Sequence, residues 1–251
     1  MAKQTGIIKL KGEIGGISFY KTSEGHLARE KGGVDAKRLA SDPAFQRTRE
    51  NGQEFGRAGK GGKLIRRAIR YLLKNAKDKR VASRLIKNLM SILKTDVTNP
   101  RGERRIEDGN MDLLNFFEFN GRTELSNALA SSFATQIDRA TGEVTFSLDA
   151  FTPWEHIDAP EGTTDFKINV GAAEIDFENE TSVFARDETS IIEYDKVENS
   201  ATDFTINLSA GSQLPILAIL GIEFYQEVNG EMYLLKNGAF NALAVVKVDQ
   251  A

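Results

Sequence analysis

Few side chains in this chain are arranged to bond a metal, move a proton or attack a substrate. There is no cysteine, and the only histidines are His26 and His156. Thiolate nucleophiles, disulfides and cysteine-held zinc are therefore excluded. Each histidine stands alone, whereas a zinc site needs three or four converging ligands. His156 lies in Pro153-Trp-Glu-His-Ile-Asp158 beside the single tryptophan, which reads as a packing corner in a loop. No Gly-x-Ser-x-Gly elbow occurs. The run Gly56-Arg-Ala-Gly-Lys-Gly-Gly-Lys-Leu64 invites a phosphate-loop reading and fails it. Glycine stands where the lysine belongs, leucine follows Lys63 where a magnesium-binding hydroxyl belongs, and a helical stretch precedes the run instead of a strand. A flexible joint between helices is the expectation there. A glycosidase pair among the 36 acids is not legible, because carboxylate separation cannot be read from sequence. No catalytic residue, metal, cofactor or small-molecule substrate is expected, and the chain reads as a non-enzyme.

What does stand out is charge. Net charge is only −3, yet residues 1–105 carry 26 Lys+Arg against 10 Asp+Glu, net +16, and residues 106–251 carry 7 against 26, net −19. Such a split points to a partner of opposite sign, or to the two halves meeting each other within or between copies. On a helix advancing 100° per residue, Lys63, Arg66, Arg67, Arg70 and Lys74 fall within an arc of about 100°. Arg80, Arg84 and Lys87 extend the basic surface onto a following helix. The acidic counterpart is Glu174, Asp176, Glu178 and Glu180, which on a strand would alternate onto one face while Ala173, Ile175 and Phe177 take the other. Solvent and salt, Ca²⁺ or a basic surface could offset their repulsion. The stretch lacks the loop pattern of an EF-hand.

The elements that would position these groups follow from the period of the apolar residues. Gly6–Leu10 and Gly16–Lys21 read as a glycine-broken hairpin, with His26–Lys31 as a third strand. Its alternating Ile7, Leu10, Ile17 and Phe19 could add strands to a neighbour's sheet edge. Ser41-Asp42-Pro43 is a helix start. The helix it opens is expected to fail near Lys60–Gly62, with a second helix over 63–74 and a third from Asp78 to about Lys94. The inward faces would be Leu64, Ile65, Ala68, Ile69, Leu72 and Leu73 on one, and Val81, Leu85, Leu89, Ile92 and Leu93 on the other. Thr98-Asn-Pro-Arg-Gly102 is a loop, and beyond it the period changes to two. Strands are expected at 116–119, 135–137, 144–148, 164–170, 173–178, 181–185, 190–195, 202–208, 222–228, 231–235 and 242–248. Asn229-Gly230 forms the turn of the clearest hairpin.

Two N-terminal stretches, Ile14–Lys21 with Arg29–Val34 and Asp42–Asn51 with Glu54-Phe-Gly56, resemble proteins of unknown function from Bacteroidota bacteria and their mobile elements. Ile222–Gly230 with Asn241-Ala-Leu243 resembles the same group. The resemblance implies no activity and no catalytic residue; in style it is similar to phage-like structural proteins that lack a signal peptide.

The expectation is an α+β chain. A basic hairpin-plus-helical region, 1–105, precedes an acidic antiparallel β-sandwich, 106–251. The expected role is a self-assembling structural subunit of a filament, tube or particle. Other copies of the chain are the expected partner, through strand addition and basic-helix to acidic-sheet contacts. The alternative is nucleic-acid binding by helices 63–94, with an affinity that falls as salt rises. The basic helices carry only Tyr71 as an aromatic for stacking bases. No apolar run approaches the ~20 residues that span a bilayer, so membrane insertion is not expected. No signal peptide is legible, which predicts a protein cytoplasmic as synthesised, reaching a virion or extracellular assembly only by a signal-less route.

Overall fold

Short alternating runs broken by glycine make only short strands, and the N-terminal residues form four of them. The computed structural model describes residues 2–30 and 32–250, with the backbone alone of Asn237. The chain divides into two compact units, Met1–Arg49 and Glu50–Ala251. In the first, β1 (Ala2–Lys3), β2 (Gly12–Ile14), β3 (Ile17–Thr22) and β4 (Gly25–Glu30) form an antiparallel sheet in the order β1-β4-β3-β2. Lys31, placed by its sequence at the end of β4, lies outside the described residues. Gly6–Leu10 is not a strand, contrary to the expectation. The Gln4 side chain closes that segment into a loop: its carbonyl accepts from the Leu10 amide at 2.9 Å and its amide donates to the Leu10 carbonyl at 3.3 Å. The Leu10 backbone groups are thereby taken from any ladder. The unit continues through α1 (Ala36–Ser41) and a 3₁₀ turn, Pro43–Phe45, whose start is capped by Asp42 accepting from the Ala44 amide at 2.9 Å.

The second helix, α2 (Gln46–Ala68), is 23 residues long and does not break at Lys60–Gly62. Gly61 and Gly62 are buried there. A Cβ on Gly61 would overlap the Ile106 side chain and come within 3.2 Å of Phe177, so glycine serves close approach at this point and not a joint. The interruption falls later, at Ile69, between α2 and the single turn α3 (Arg70–Leu73). Helix α4 (Val81–Thr95) follows. The inward faces expected of these helices are buried, Ala68 only partly.

Two sheets complete the larger unit, so the molecule is α+β. The strands β7 (Asp165–Asp176), β8 (Thr181–Glu188), β9 (Ile192–Glu193), β11 (Ile216–Val228), β12 (Glu231–Leu234) and β13 (Ala242–Asp249) form one antiparallel sheet around β7 and β11. The strands β5 (Phe133–Asp138), β6 (Glu143–Leu148) and β10 (Thr202–Asn207) form the other. Single turns α5 (Leu125–Ala128) and α6 (Pro153–His156) sit in the connections. Stretches 164–170 and 173–178, expected as two strands, are the one strand β7. The expected strand 116–119 supplies only the isolated bridge Glu118↔Ala244. The Asn229-Gly230 turn is present, with φ of 55° and 82° as a type I′ turn requires.

Alternate residues of the central strands enter two different cores. Ala173 and Ile175 of β7, Leu217 and Ile219 of β11, and Leu243 and Val245 of β13 pack with α2, α3 and α4. Phe166, Ile168, Val170 and Ala172 of β7, with Leu220 and Ile222 of β11, pack with Val144, Phe146, Phe204 and Ile206 of the smaller sheet. Burial on both faces explains why these strands read as continuous apolar runs. The helices therefore share a core with the acidic sheet. The division falls after Arg49, not at residue 105 where the period changes.

Candidate assembly surfaces

The first unit has a sheet but no interior. Among its described residues none is buried. Ile7 and Ile8 are exposed in the Gln4-closed loop, and Ile14 and Ile17 are 61% and 41% exposed on β2 and β3. Of the residues expected to guide strand addition, Ile17 and Phe19 lie on β3, whereas Ile7 and Leu10 lie outside every strand. Three- and four-stranded sheets gain independent stability by covering an apolar face. A segment of this size without a core is below the length at which burial normally suffices. The two edge strands, β1 and β2, are two and three residues long.

In the second unit the basic row and the acidic stretch meet inside one chain. Lys60 pairs with Glu180 at 2.8 Å, and Arg67 donates to the Glu180 carbonyl at 2.7 Å. Arg105 stands 3.9 Å from Glu178. The Lys60 ion pair holds the Glu180 carboxyl below its usual range. Glu174 and Asp176 are on β7, Glu174 buried near the Ser209 amide, while Glu178 and Glu180 occupy the turn that follows. The expected single acidic strand face is therefore not formed, because the strand ends at Asp176. There the Asn179 amide and side chain both bond its carboxylate at 2.8 Å and hold its pKa down. Lys60, Arg105, Glu178 and Glu180, with Arg57, Glu107, Phe177 and Leu64, line a cleft of about 220 Å³. On the basic side Lys63, Arg67, Arg70, Lys74, Arg80 and Lys87 are exposed, and Arg66 is half-buried, its Nε donating to the Gly62 carbonyl. Arg84 is committed internally: it donates to the Glu118 carbonyl at 2.6 Å and to Asp78 at 2.6 Å.

Two further polar groupings were not legible in the sequence. Glu223, buried on β11, accepts from the Asn75 side-chain Nδ2 at 3.2 and 3.1 Å and from the Tyr225 hydroxyl at 2.6 Å. Burial and that bond push the Tyr225 hydroxyl far above the usual phenol range. Beside them Glu188 accepts from Lys167 and Arg186, and Arg186 lies over the Tyr71 ring. Each of these groups meets a partner of matching chemistry, so the constellation is a fixed network. The other is Glu118. One carboxylate oxygen accepts from the Leu125 amide at 2.8 Å and the other is enclosed without a partner among the described residues. Burial raises its pKa to about 7, against the pull of Arg84.

His156 bonds locally, its Nδ1 within 3.0 Å of the Thr152 carbonyl, and His26 lies on β4. No group of three or more His, Asp or Glu among the described residues could hold a metal ion. No helix among them is long and apolar enough to cross a membrane.

No family model matches the chain, and no curated protein does. One solved structure that it resembles is described as concerning pH-induced modulation of Streptococcus parasanguinis adhesion by Fap1 fimbriae. The two are 13% identical, the match covers 52% of this chain and 88% of that one, and the TM-score is 0.27. A likeness at that level carries no argument about fold or function.

Proposed function

We propose that the chain is a non-catalytic structural subunit that assembles with copies of itself. The observation that carries this reading is the contrast between the two units. Residues 50–251 own two complete cores, whereas the described residues of the first unit bury nothing and expose Ile7, Ile8, Ile14 and Ile17. An ordered sheet with an uncovered apolar face gains its missing burial from a second molecule. The two facing sheets of the larger unit act, on this reading, as a β-sandwich that gives the subunit a rigid body. Strand addition at β1 or β2 and attraction between the exposed basic row and acidic surfaces of a neighbour would join the subunits into a filament, tube or particle. Lys60, Arg67 and Glu180 are already engaged within the chain. The basic side of such a contact therefore rests on Lys63, Arg70, Lys74, Arg80 and Lys87. The same exposed row supports nucleic-acid binding as the second reading.

Sedimentation velocity of the full chain tests the proposal. Species larger than the 27.7 kDa subunit are expected to grow with protein concentration and to shrink in part as salt rises. A single 27.7 kDa species at every concentration in low salt rules the reading out.

A further inference from the structure

Resting on the assembly reading, two surfaces of the larger unit match each other in chemistry. The first is a groove of about 430 Å³ on the outer side of α2 and α4. Phe55, 56% exposed, and the partly buried Ile86 and Met90 make its apolar part, and Ser83 and Ser91 add hydroxyls. Its charged lining is Lys87 and Lys94, with no carboxylate. Helical spacing sets this arrangement. Ile86, Met90 and Lys94 follow one another four residues apart, with Ser83 and Lys87 beside them, on the side of α4 away from the buried Leu85, Leu89 and Ile92. The second surface surrounds the single tryptophan. Trp154, on α6, is 57% exposed, its ring 5.5 Å from that of Tyr194 and 5.2 Å from Lys196 Nζ. Its amide donates to the Asp195 carbonyl at 3.0 Å, which ties α6 to the turn 195–198. Val197 on that turn is 67% exposed. Glu155, Asp195 and Glu198 stand there against Lys196, three carboxylates to one ammonium.

The two surfaces cannot meet within one chain. Helices α2–α4 cover one face of the central sheet, whereas Phe151 and Ile157, which flank α6, enter the core on the other face. We propose that the Trp154 patch of one copy docks in the α2–α4 groove of the next. An exposed indole beside an exposed valine is the kind of anchor that dominates protein interfaces. In the groove the indole meets Phe55, Ile86 and Met90, whose thioether suits an aromatic ring. Glu155 and Glu198 come against Lys87 and Lys94. Charge selects this occupant over the symmetric ones. Groove against groove sets lysines over lysines, and patch against patch sets carboxylates over carboxylates; the mixed contact alone joins opposite signs. The contact is heterologous, so each docked copy still offers one groove or one tryptophan, and the same joint repeats into a ring or a filament.

A chain with one tryptophan reports on the contact directly. Tryptophan emission of the full chain at low salt should shift to shorter wavelength as concentration rises, because the indole leaves water. Lys87→Glu with Lys94→Glu, both on the exposed side of α4, should weaken this contact about ten-fold or more and keep the emission of the dilute chain. The K87E/K94E chain retains the tryptophan, and a Trp154→Ala chain retains the groove. Neither forms the contact alone, and the two together form it once. Adding the tryptophan-free chain to K87E/K94E should therefore restore the shift, with circular dichroism matching the wild type in both variants. A wild-type chain that associates without a shift, a mixture that stays unshifted, or a shift in K87E/K94E alone overturns the docking, while sedimentation still shows larger species. A wild-type chain that never associates overturns this inference and the assembly reading together.

Discussion

At the scale of single residues, the carboxyl of Glu118 is the group most out of register with water. Burial holds its pKa up at about 7, and one of its oxygens has no hydrogen-bond partner among the described residues. A raised carboxyl pKa means the folded state prefers the protonated form. Its contribution is therefore full below the ordinary value of about 4.5 and is lost as pH rises through about 7. Glu118→Gln, which keeps an oxygen for the Leu125 amide, should leave stability near pH 4.5 almost unchanged. Near pH 8 it should raise stability by about 1–3 kcal/mol, measured by urea unfolding at the two pH values. Nothing in the sequence marks this residue. It stands in a stretch expected as a strand, and the residue it bridges to, Ala244, lies far away in the chain. The network around Glu223 was hidden for the same reason, since its partner Asn75 is 148 positions away.

At the scale of elements, local signals were read well where the local chain decides the outcome. The inward faces of the helices, the Asn229-Gly230 turn and the run Ile17–Lys21 follow from period and turn chemistry alone. They failed where a distant residue decides. Gly56–Gly62 looks like a break because glycine is a poor helix former. The helix persists because Ile106 and Phe177 need the space that Gly61 leaves. Gly59, by contrast, would have no heavy atom within 4 Å of an added Cβ. Gly59→Ala should therefore stabilise the chain by up to about 1 kcal/mol. Gly61→Ala should fall short of that gain or destabilise by about 1–2 kcal/mol, because Ile106 must move. Thermal unfolding of the two variants side by side checks the contrast. The Gly6–Leu10 strand failed similarly: its alternation is real, but Gln4 satisfies the Leu10 backbone groups first.

At the scale of the whole molecule, the charge split between halves is the strongest feature of the sequence, and it has two destinations. Part is spent inside one unit, where Lys60, Arg67 and Arg105 meet Glu180 and Glu178. The change of period near residue 105 marked a change of secondary structure and not of domain, because β7, β11 and β13 form the floor on which α2–α4 pack. The first 49 residues, by comparison, are short of burial and carry their own opposed charges at the two ends of one sheet face. That face was half legible: alternation along β3 marks Ile17 and Phe19 and carries Lys21 with them, but Glu30 joins them only through the register of β3 with β4.

Amide hydrogen exchange at two protein concentrations addresses the central claim directly. If a second copy covers the N-terminal sheet, amides of β3 and β4 should gain about ten-fold or more protection from dilute to concentrated solution, while those of β7 and β11 hold constant. Protection of β3 and β4 that is the same at both concentrations would contradict the account.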